Sequence, residues 1–402
     1  MTGSVPARTE PFVRRVRVRN YRSIAACDVE LGPLTVLLGP NASGKSNFLD
    51  ALRFVREVMY KAPAAAITDR GGLDALLHRS TSGSVESFQI QLDLTIPPRR
   101  AGDLALPATY GFEIAADPRE ELPLLVTQET ARIRLPDREV TLGSSKEPTS
   151  RLQLPVSSAQ EDSPFLRLQT ALWAMLFYDL DSVALRAVDE EGGSRRILTE
   201  LGRAGERLGR VLAALEHEDP AGKERVDAHL SALVPGALGI DERREGRYST
   251  VQARFRSDAG VQTFLRESLS EGTLRAAGVL AALFQVPASV GLATLVAIEE
   301  PETALHPAGL GALYEALDDA SMRAQVIVTS QSSDLLDSEY AHLDHIRAVA
   351  NVGGATRIGK VDAAGHNIVG KGLMSISELH RSGQMLPSAV GYPVDLRAGE
   401  DR

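Results

Sequence analysis

Near the start of the chain, apolar and basic positions alternate: Val13, Val16 and Val18 interleave with Arg14, Arg15, Arg17 and Arg19. A period of two predicts a half-exposed strand with a basic outer face. A solvated face is the simpler account of that pattern, and a nucleic-acid contact is the alternative. Residues 1–11 read as a disordered lead. A second strand is expected over Ala26 to Leu31, and Leu34 to Leu38 is an unbroken apolar, β-prone run. Behind it Phe48, Leu52, Val55 and Met59 recur at helical spacing. Residues 61–83 read as helix and loop broken at Gly71-Gly72. From about Val85 to Leu154 the period returns to two through FQIQLDLTI, TYGFEIAA, LLVTQETARIRL and REVTL. An antiparallel β-layer inserted after the first helix is the expectation.

From Pro164 to about Leu233 the texture is helical. LRLQTALWAMLF comes first, then RRILTELGRAGERLGRVLAALEHE with Leu198, Leu201, Leu208, Val211 and Leu212 on one broad face. The second stretch predicts an amphipathic helix of a lid or arm, too short for a long coiled coil. Pro235-Gly236 ends the segment and YSTVQARFRS returns to strand. A helix over Leu269 to Leu283, a buried strand from Thr294, a helix opening at Pro307, a strand beginning at Gln325 and a hairpin around Gly353-Gly354 follow. The chain thus divides into 1–84 (first part of a head), 85–160 (β-layer), 161–240 (helical arm), 241–365 (second part of the head) and 366–402 (tail).

Composition narrows the class. The chain has 402 residues, 43% of them hydrophobic, a net charge of −9 and one cysteine, Cys27. That length allows two or three domain-sized units with a sizeable core. No run approaches the roughly 20 apolar residues of a membrane span, and the N-terminus lacks a signal-peptide apolar stretch, so a cytoplasmic protein is expected. A single cysteine excludes an internal disulfide or cysteine metal cluster and fits a reducing compartment. The acidic balance argues against whole-surface attraction to nucleic acid, while a local basic patch stays open.

Three stretches carry chemistry. GPNASGKSN, Gly39 to Asn47, satisfies G-x-x-x-x-G-K-[ST] and stands between a predicted strand and a predicted helix. Backbone N–H groups of Gly39, Asn41, Ala42, Ser43, Gly44 and Asn47 then face nucleotide phosphates at a helix N-terminus. Lys45 reaches the β- and γ-phosphates and the Ser46 hydroxyl ligates Mg²⁺. TLVAIEEPETALHP ends a buried strand in two acids: Glu299 for the Mg²⁺ shell through water, Glu300 to orient and deprotonate the attacking water. LSEGT opens a helix with Ser270 and Gly272, a second phosphate-seeking terminus or an ordinary N-cap. On the strand from Gln325, Thr329, Ser330 and Gln331 are placed to sense a γ-phosphate.

The order NYRSI, GPNASGKSN, LSEGT, IEEPETALHP, IVTSQSSDLL resembles that of ATP-binding-cassette-type ATPases of the RecF, SMC and OLD-nuclease group. The resemblance implies an α/β fold, a P-loop NTPase of ABC-ATPase type with an inserted antiparallel β-layer and a helical lid or arm. It implies ATP with Mg²⁺, and two copies closing over two ATP molecules as a homodimer or higher homo-oligomer. Ser270 and Gly272 of one copy would meet the γ-phosphate held by Lys45 and Ser46 of the other. Arg22, in NYRSI, would touch the nucleotide, and Thr303 to His306 would lie at the dimer seam.

Three departures from the family pattern matter. Glu299 stands where Asp is usual, and Gln331 stands where His is common; glutamine hydrogen-bonds a phosphate but carries no proton charge, so slow ATP hydrolysis is expected. The glutamine that couples the two lobes has no clear position, with Gln89 and Gln91 as candidates. Beyond Leu336 no D-x-D occurs, so no nuclease centre is expected in this chain, and a separate nuclease or toxin effector would do any cutting. The expected role is a clamp or sensor on DNA or a partner in DNA repair or anti-phage defence, without a membrane partner. An ATPase subunit of a membrane transporter and a slow-turnover nucleotide-binding scaffold are the alternatives.

Overall fold

The N-terminal alternation folds as β1 (Val13–Tyr21), flanked by β2 (Ile24–Glu30), and the apolar run is β3 (Leu34–Leu38). The helix behind it is α1 (Lys45–Glu57), followed by short α2 (Pro63–Thr68) and α3 (Leu73–Leu76). The inserted layer is β4 (Ser87–Ile96), β5 (Leu106–Ala115), β6 (Leu125–Arg134) and β7 (Glu139–Leu142). Next come α4 (Leu154–Ser157), α5 (Pro164–Trp173), β8 (Met175–Tyr178), α6 (Ser182–Leu185), β9 (Asp189–Glu190), α7 (Leu208–Glu218) and α8 (Pro220–Leu233). A meander β10 (Ala237–Glu245), β11 (Tyr248–Ser257) and β12 (Gly260–Leu265) leads to α9 (Glu271–Phe284) and α10 (Val286–Ser289). The chain closes with β13 (Leu295–Glu299), α11 (Leu310–Ser321), β14 (Gln325–Ser330), β15 (Ile346–Val352), β16 (Ala355–Gly359), α12 (Ala363–Gly370) and α13 (Ile376–Arg381). This computed structural model describes residues 10–79, 85–98, 103–117, 124–143, 149–157, 163–190, 200–289 and 292–388. The disordered lead expected for residues 1–11 therefore falls almost wholly outside the described residues.

The central sheet runs β16-β15-β3-β14-β13-β8, parallel except for the β15–β16 hairpin. Its strands are apolar on both faces, as parallel strands covered twice must be. Leu34, Val36, Leu38, Val296, Ile298, Val326 and Val328 face one core, built with α8, α9 and α11. The alternate residues Leu37, Leu295, Ala297 and Ile327 face the other, where α1 lies beneath the antiparallel sheet β2-β1-β4-β5-β6-β7. The inserted strands thus continue the sheet begun by β1 and β2. Phe54 of α1 packs edge-on to Phe88 at 5.5 Å, and Tyr21 packs on Phe88 at 5.3 Å.

Two helical expectations are corrected. Met175–Tyr178 is the outermost parallel strand of the central sheet, paired with β13, where a helix continuing through LRLQTALWAMLF is expected. Four fully buried residues carry no periodicity to separate strand from helix. Within the described part of the amphipathic stretch expected from Arg195, residues 200–207 are not helical and α7 begins at Leu208: Gly205 sits at φ 104° and Arg207 at φ 69°, both left-handed. Leu198 lies outside the described residues, and Leu201 is buried from a turn. The basic face of β1 is paired within the protein, because Arg15 holds Asp28 of β2 at 2.5 Å and Arg17 holds Asp93 of β4 at 2.8 Å. Cys27 is buried on β2, and burial pushes its thiol up to about 12.

Candidate functional site

At the C-terminal ends of β3, β14 and β13 the glycine loop, the Thr329–Gln331 segment and the two acids Glu299 and Glu300 meet, the usual position for a ligand of an open α/β sheet. The loop between β3 and α1 is dense. Gly44 lies at φ 105°, and a Cβ there would meet Thr356 Oγ1 at 1.9 Å; a Cβ on Gly39 would meet the Val349 carbonyl at 2.1 Å. Only glycine fits either place. Ala42 is also left-handed, at φ 59°. Asn41, Ala42 and Ser46 are exposed, while Ser43 and Lys45 are buried. The Ser43 hydroxyl, buried in the loop, has no hydrogen-bond partner among the described residues.

Lys45 Nζ donates to the carbonyls of Gly39 at 2.7 Å and Pro40 at 2.9 Å. Burial lowers its pKa, against the carboxylates of Glu300, Glu302 and Glu299, which raise it. A buried ammonium surrounded by acids and held by loop carbonyls is one that a phosphate can take over. Glu299, the last residue of β13, accepts a hydrogen bond from the Ser46 side chain, yet burial leaves its carboxyl above the ordinary range. A hydroxyl and a carboxylate side by side are the hard oxygen donors that Mg²⁺ prefers, so the residues fit the ion that the sequence implies. Glu300 takes a left-handed φ of 41°, and its N–H donates to both the carbonyl and the hydroxyl of Thr329 at 3.1 Å. Strained backbone at a strand end commonly marks a working residue.

Gln331 follows β14 and is exposed, its N–H 3.3 Å from Glu302 Oε1. Glu302 also accepts from the Ser330 hydroxyl at 2.6 Å, and burial raises its pKa. Ser270 caps α9, accepting from Thr273 N–H at 3.1 Å, and Gly272 packs so closely that a Cβ would meet the Ala304 carbonyl at 2.6 Å. The LSEGT turn therefore abuts the Thr303–His306 loop of its own chain, and Ser270 itself is exposed. Arg22 occupies a left-handed turn at φ 51°, with Nε 2.9 Å from Asp50 Oδ2. It lines a cleft of about 420 Å³ shared with Ser23, Asn47, Asp74, Leu77 and His78. That volume suits a small-molecule ligand.

Sequence reasoning missed several groups that shape the site. Thr356, on β16, donates to the Ser43 carbonyl at 2.9 Å and so accepts from the Ser23 hydroxyl at 2.7 Å, while Asn47 Nδ2 donates to Ser23 Oγ at 2.6 Å. This chain of bonds fastens the NYRSI turn and the β15–β16 hairpin to the glycine loop. Asp50 gathers Arg22, Arg53, Arg70 and the Tyr21 hydroxyl; burial works to raise its carboxyl pKa, but the three guanidinium groups hold it below the usual range. Gln89 and Gln91 lie on β4, opposite Arg19 and Arg17 of β1. Gln325, at the start of β14, hydrogen-bonds Val13 of β1 and so joins the two sheets.

A family profile described as "AAA domain, putative AbiEii toxin, Type IV TA system" matches residues 34–337. A 44-residue stretch is 41% identical to the OLD nuclease of Thermus scotoductus (strain ATCC 700910 / SA-01), covering 11% of this chain and 8% of that protein. The match therefore spans under a tenth of that curated relative. Among solved structures, an SMC head bound to the C-winged helix domain of ScpA superposes with a TM-score of 0.55 at 14% identity, over 87% of this chain and 97% of that one. The SMC head domain of Thermotoga maritima gives 0.42 at 13% identity, over 88% and 100%. The first of these shows the fold: a mixed α/β P-loop head of the ABC type. With three quarters of its length matched by one profile, the chain belongs to this AAA-domain family.

Proposed function

We propose that this protein binds ATP with Mg²⁺ between Lys45, Ser46 and Glu299, and hydrolyses it slowly with Glu300 positioning the water. The observation that carries the reading is the convergence of the glycine loop and the β13 acids: Ser46 hydrogen-bonds Glu299, and Lys45 lies in the field of Glu299, Glu300 and Glu302. Bound there, Mg²⁺ neutralises charge on the phosphates. The backbone N–H groups of the loop and Lys45 hold the phosphates, Arg22 and Asn47 border the cleft that takes the nucleoside, and Gln331 faces the terminal phosphate.

Residues 1–84 and 241–365 make the head in this reading, 85–160 its β-layer, 161–240 the arm and 366–402 a tail. Two copies close face to face, Ser270 and Gly272 of one over the phosphates of the other; the exposure of Ser270 leaves that helix start available. The exchange between closed and open pairs is the working stroke of a clamp or sensor acting on DNA or on a separate nuclease or toxin partner, in repair or anti-phage defence. The family description and the OLD nuclease stretch support this direction. ATP turnover of the purified chain against Glu300→Gln is the test. A wild type roughly a hundredfold or more faster supports hydrolysis at this site, and equal rates overturn it.

A further inference from the structure

The cleft beside the glycine loop has a wall that no motif supplies. Residues 73–79 form it: α3 ends at Leu76, which is fully buried, and Leu77 then bridges to Tyr21. Three bonds stitch this wall to the NYRSI turn. Arg22 N–H donates to the Leu76 carbonyl at 2.6 Å, His78 N–H to the Asn20 carbonyl at 3.0 Å, and His78 Nδ1 to the Arg22 carbonyl at 2.8 Å. The phosphate loop borders the same cleft, because Asn47 lines it and donates through Nδ2 to Ser23 Oγ. A ligand whose phosphates occupy the loop has room for its remaining part against residues 73–79.

Most donors around the cleft are already committed. The Arg22 guanidinium lies 2.9 Å from Asp50, and the Ser23 hydroxyl donates to Thr356. A carbonyl can only accept, so the one hydrogen of the neutral His78 ring is on Nδ1 and Nε2 is an acceptor. What this wall offers is therefore acceptors: the exposed Asp74 carboxylate and His78 Nε2. Leu77 adds apolar surface and Arg22 a guanidinium plane, both suited to the face of an aromatic ring. A flat heterocycle bearing an amino group matches this inventory. Guanine can turn its N1–H edge to the carboxylate, but its O6 then needs a donor; the hydrogens of Ser23 and His78 are spent, which leaves the solvent-exposed Arg79.

We propose that Asp74 selects the base, accepting a hydrogen bond from the 6-amino group of adenine in a nucleotide whose phosphates lie in the glycine loop. This selection rests on the ATP-binding reading and deepens it: the loop grips any triphosphate, and a short segment outside the motifs decides which base accompanies it. A 6-oxo purine turns a carbonyl oxygen toward the same carboxylate, oxygen against oxygen, and is rejected.

The experiment measures, by calorimetry on the full chain with Mg²⁺, the affinities of non-hydrolysable ATP and GTP analogues and of tripolyphosphate for wild type, D74A, D74N and K45A. Asp74 is exposed, so its variants keep the fold. One hydrogen bond to a charged group corresponds to about tenfold or more in affinity. The wild type is expected to prefer the ATP analogue by at least about tenfold. D74A should lose about that factor for the ATP analogue and change little for the GTP analogue or for tripolyphosphate, which has no base. D74N, whose amide can donate to O6, should bind the GTP analogue more tightly than the wild type does. A wild type without adenine preference, a preference that survives D74A, or a loss in D74A shared by tripolyphosphate overturns the proposal. Failure of the ATP-binding reading is a separate result: K45A would then bind the ATP analogue as the wild type does.

Discussion

The side chain of Gln325 bonds both backbone groups of Val13, 312 residues away: Val13 N–H donates to Gln325 Oε1 and Gln325 Nε2 donates to the Val13 carbonyl, each at 2.8 Å. A third bond runs from Nε2 to the Gly32 carbonyl at 2.9 Å. One buried amide thus joins the first strand of the antiparallel sheet to the start of β14 in the parallel sheet. Gln325→Leu keeps the volume and leaves the Val13 groups buried without partners, at a cost on the order of 2–5 kcal/mol. Urea unfolding should show that loss in the midpoint, with Val13 amide exchange accelerated; an unchanged midpoint contradicts the role assigned to the amide.

Asp50 should govern acid stability. Its carboxyl is held low by Arg70, Arg53 and Arg22 against the effect of burial. A depressed native pKa contributes stability that is present above the unfolded value of about 3.9 and is lost as pH falls through the lower native value. Wild type is therefore expected to lose stability steeply in acid, and Asp50→Asn less steeply. At pH 7 the variant strands buried guanidinium groups and should be weaker by about 3–5 kcal/mol. Parallel pH profiles for the two proteins would contradict this assignment.

Glu302 anchors the loop after β14 through Ser330 and the Gln331 N–H. Glu302→Ala frees both donors, so amide exchange at Gln331 should rise and ATP turnover should fall about tenfold or more, while ADP affinity changes little. Turnover equal to wild type would show that the loop keeps its position without the carboxylate.

Gly44→Ala places a methyl group on Thr356 Oγ1 at a left-handed position. The backbone term alone costs about 1–2 kcal/mol, and relief of the overlap requires the hairpin or the loop to shift. Nucleotide binding by calorimetry should be abolished with the chain still folded by circular dichroism; retained affinity would mean that the loop does not cradle phosphate.

Ser270→Arg tests the paired arrangement. Loss of the cap costs roughly 1 kcal/mol in helix stability, and Ser270→Ala shares that cost without the added bulk. Mass measurement with a non-hydrolysable ATP analogue should find association lost for arginine and kept for alanine. Association that survives arginine would count against closure across this turn.

The glycine loop, the paired acids at the end of β13, the capped start of α9 and the β-layer were legible in the residues alone. Each is a local rule: a glycine spacing, an apolar run ending in acids, a cap, an alternation, and backbone geometry over ten residues enforces it. β8 was not legible, because four buried residues have no periodicity, and neither was the break before α7, because its register shift lies in two left-handed turns. Only the tertiary structure decided which distant partners meet. Thr356 reaches Ser43, Gln325 reaches Val13 and His380 reaches Ser333 because strand order and helix docking bring them within hydrogen-bond distance. A single chain's pattern records which face a residue turns toward the core; the group waiting there is set by how the sheets stack.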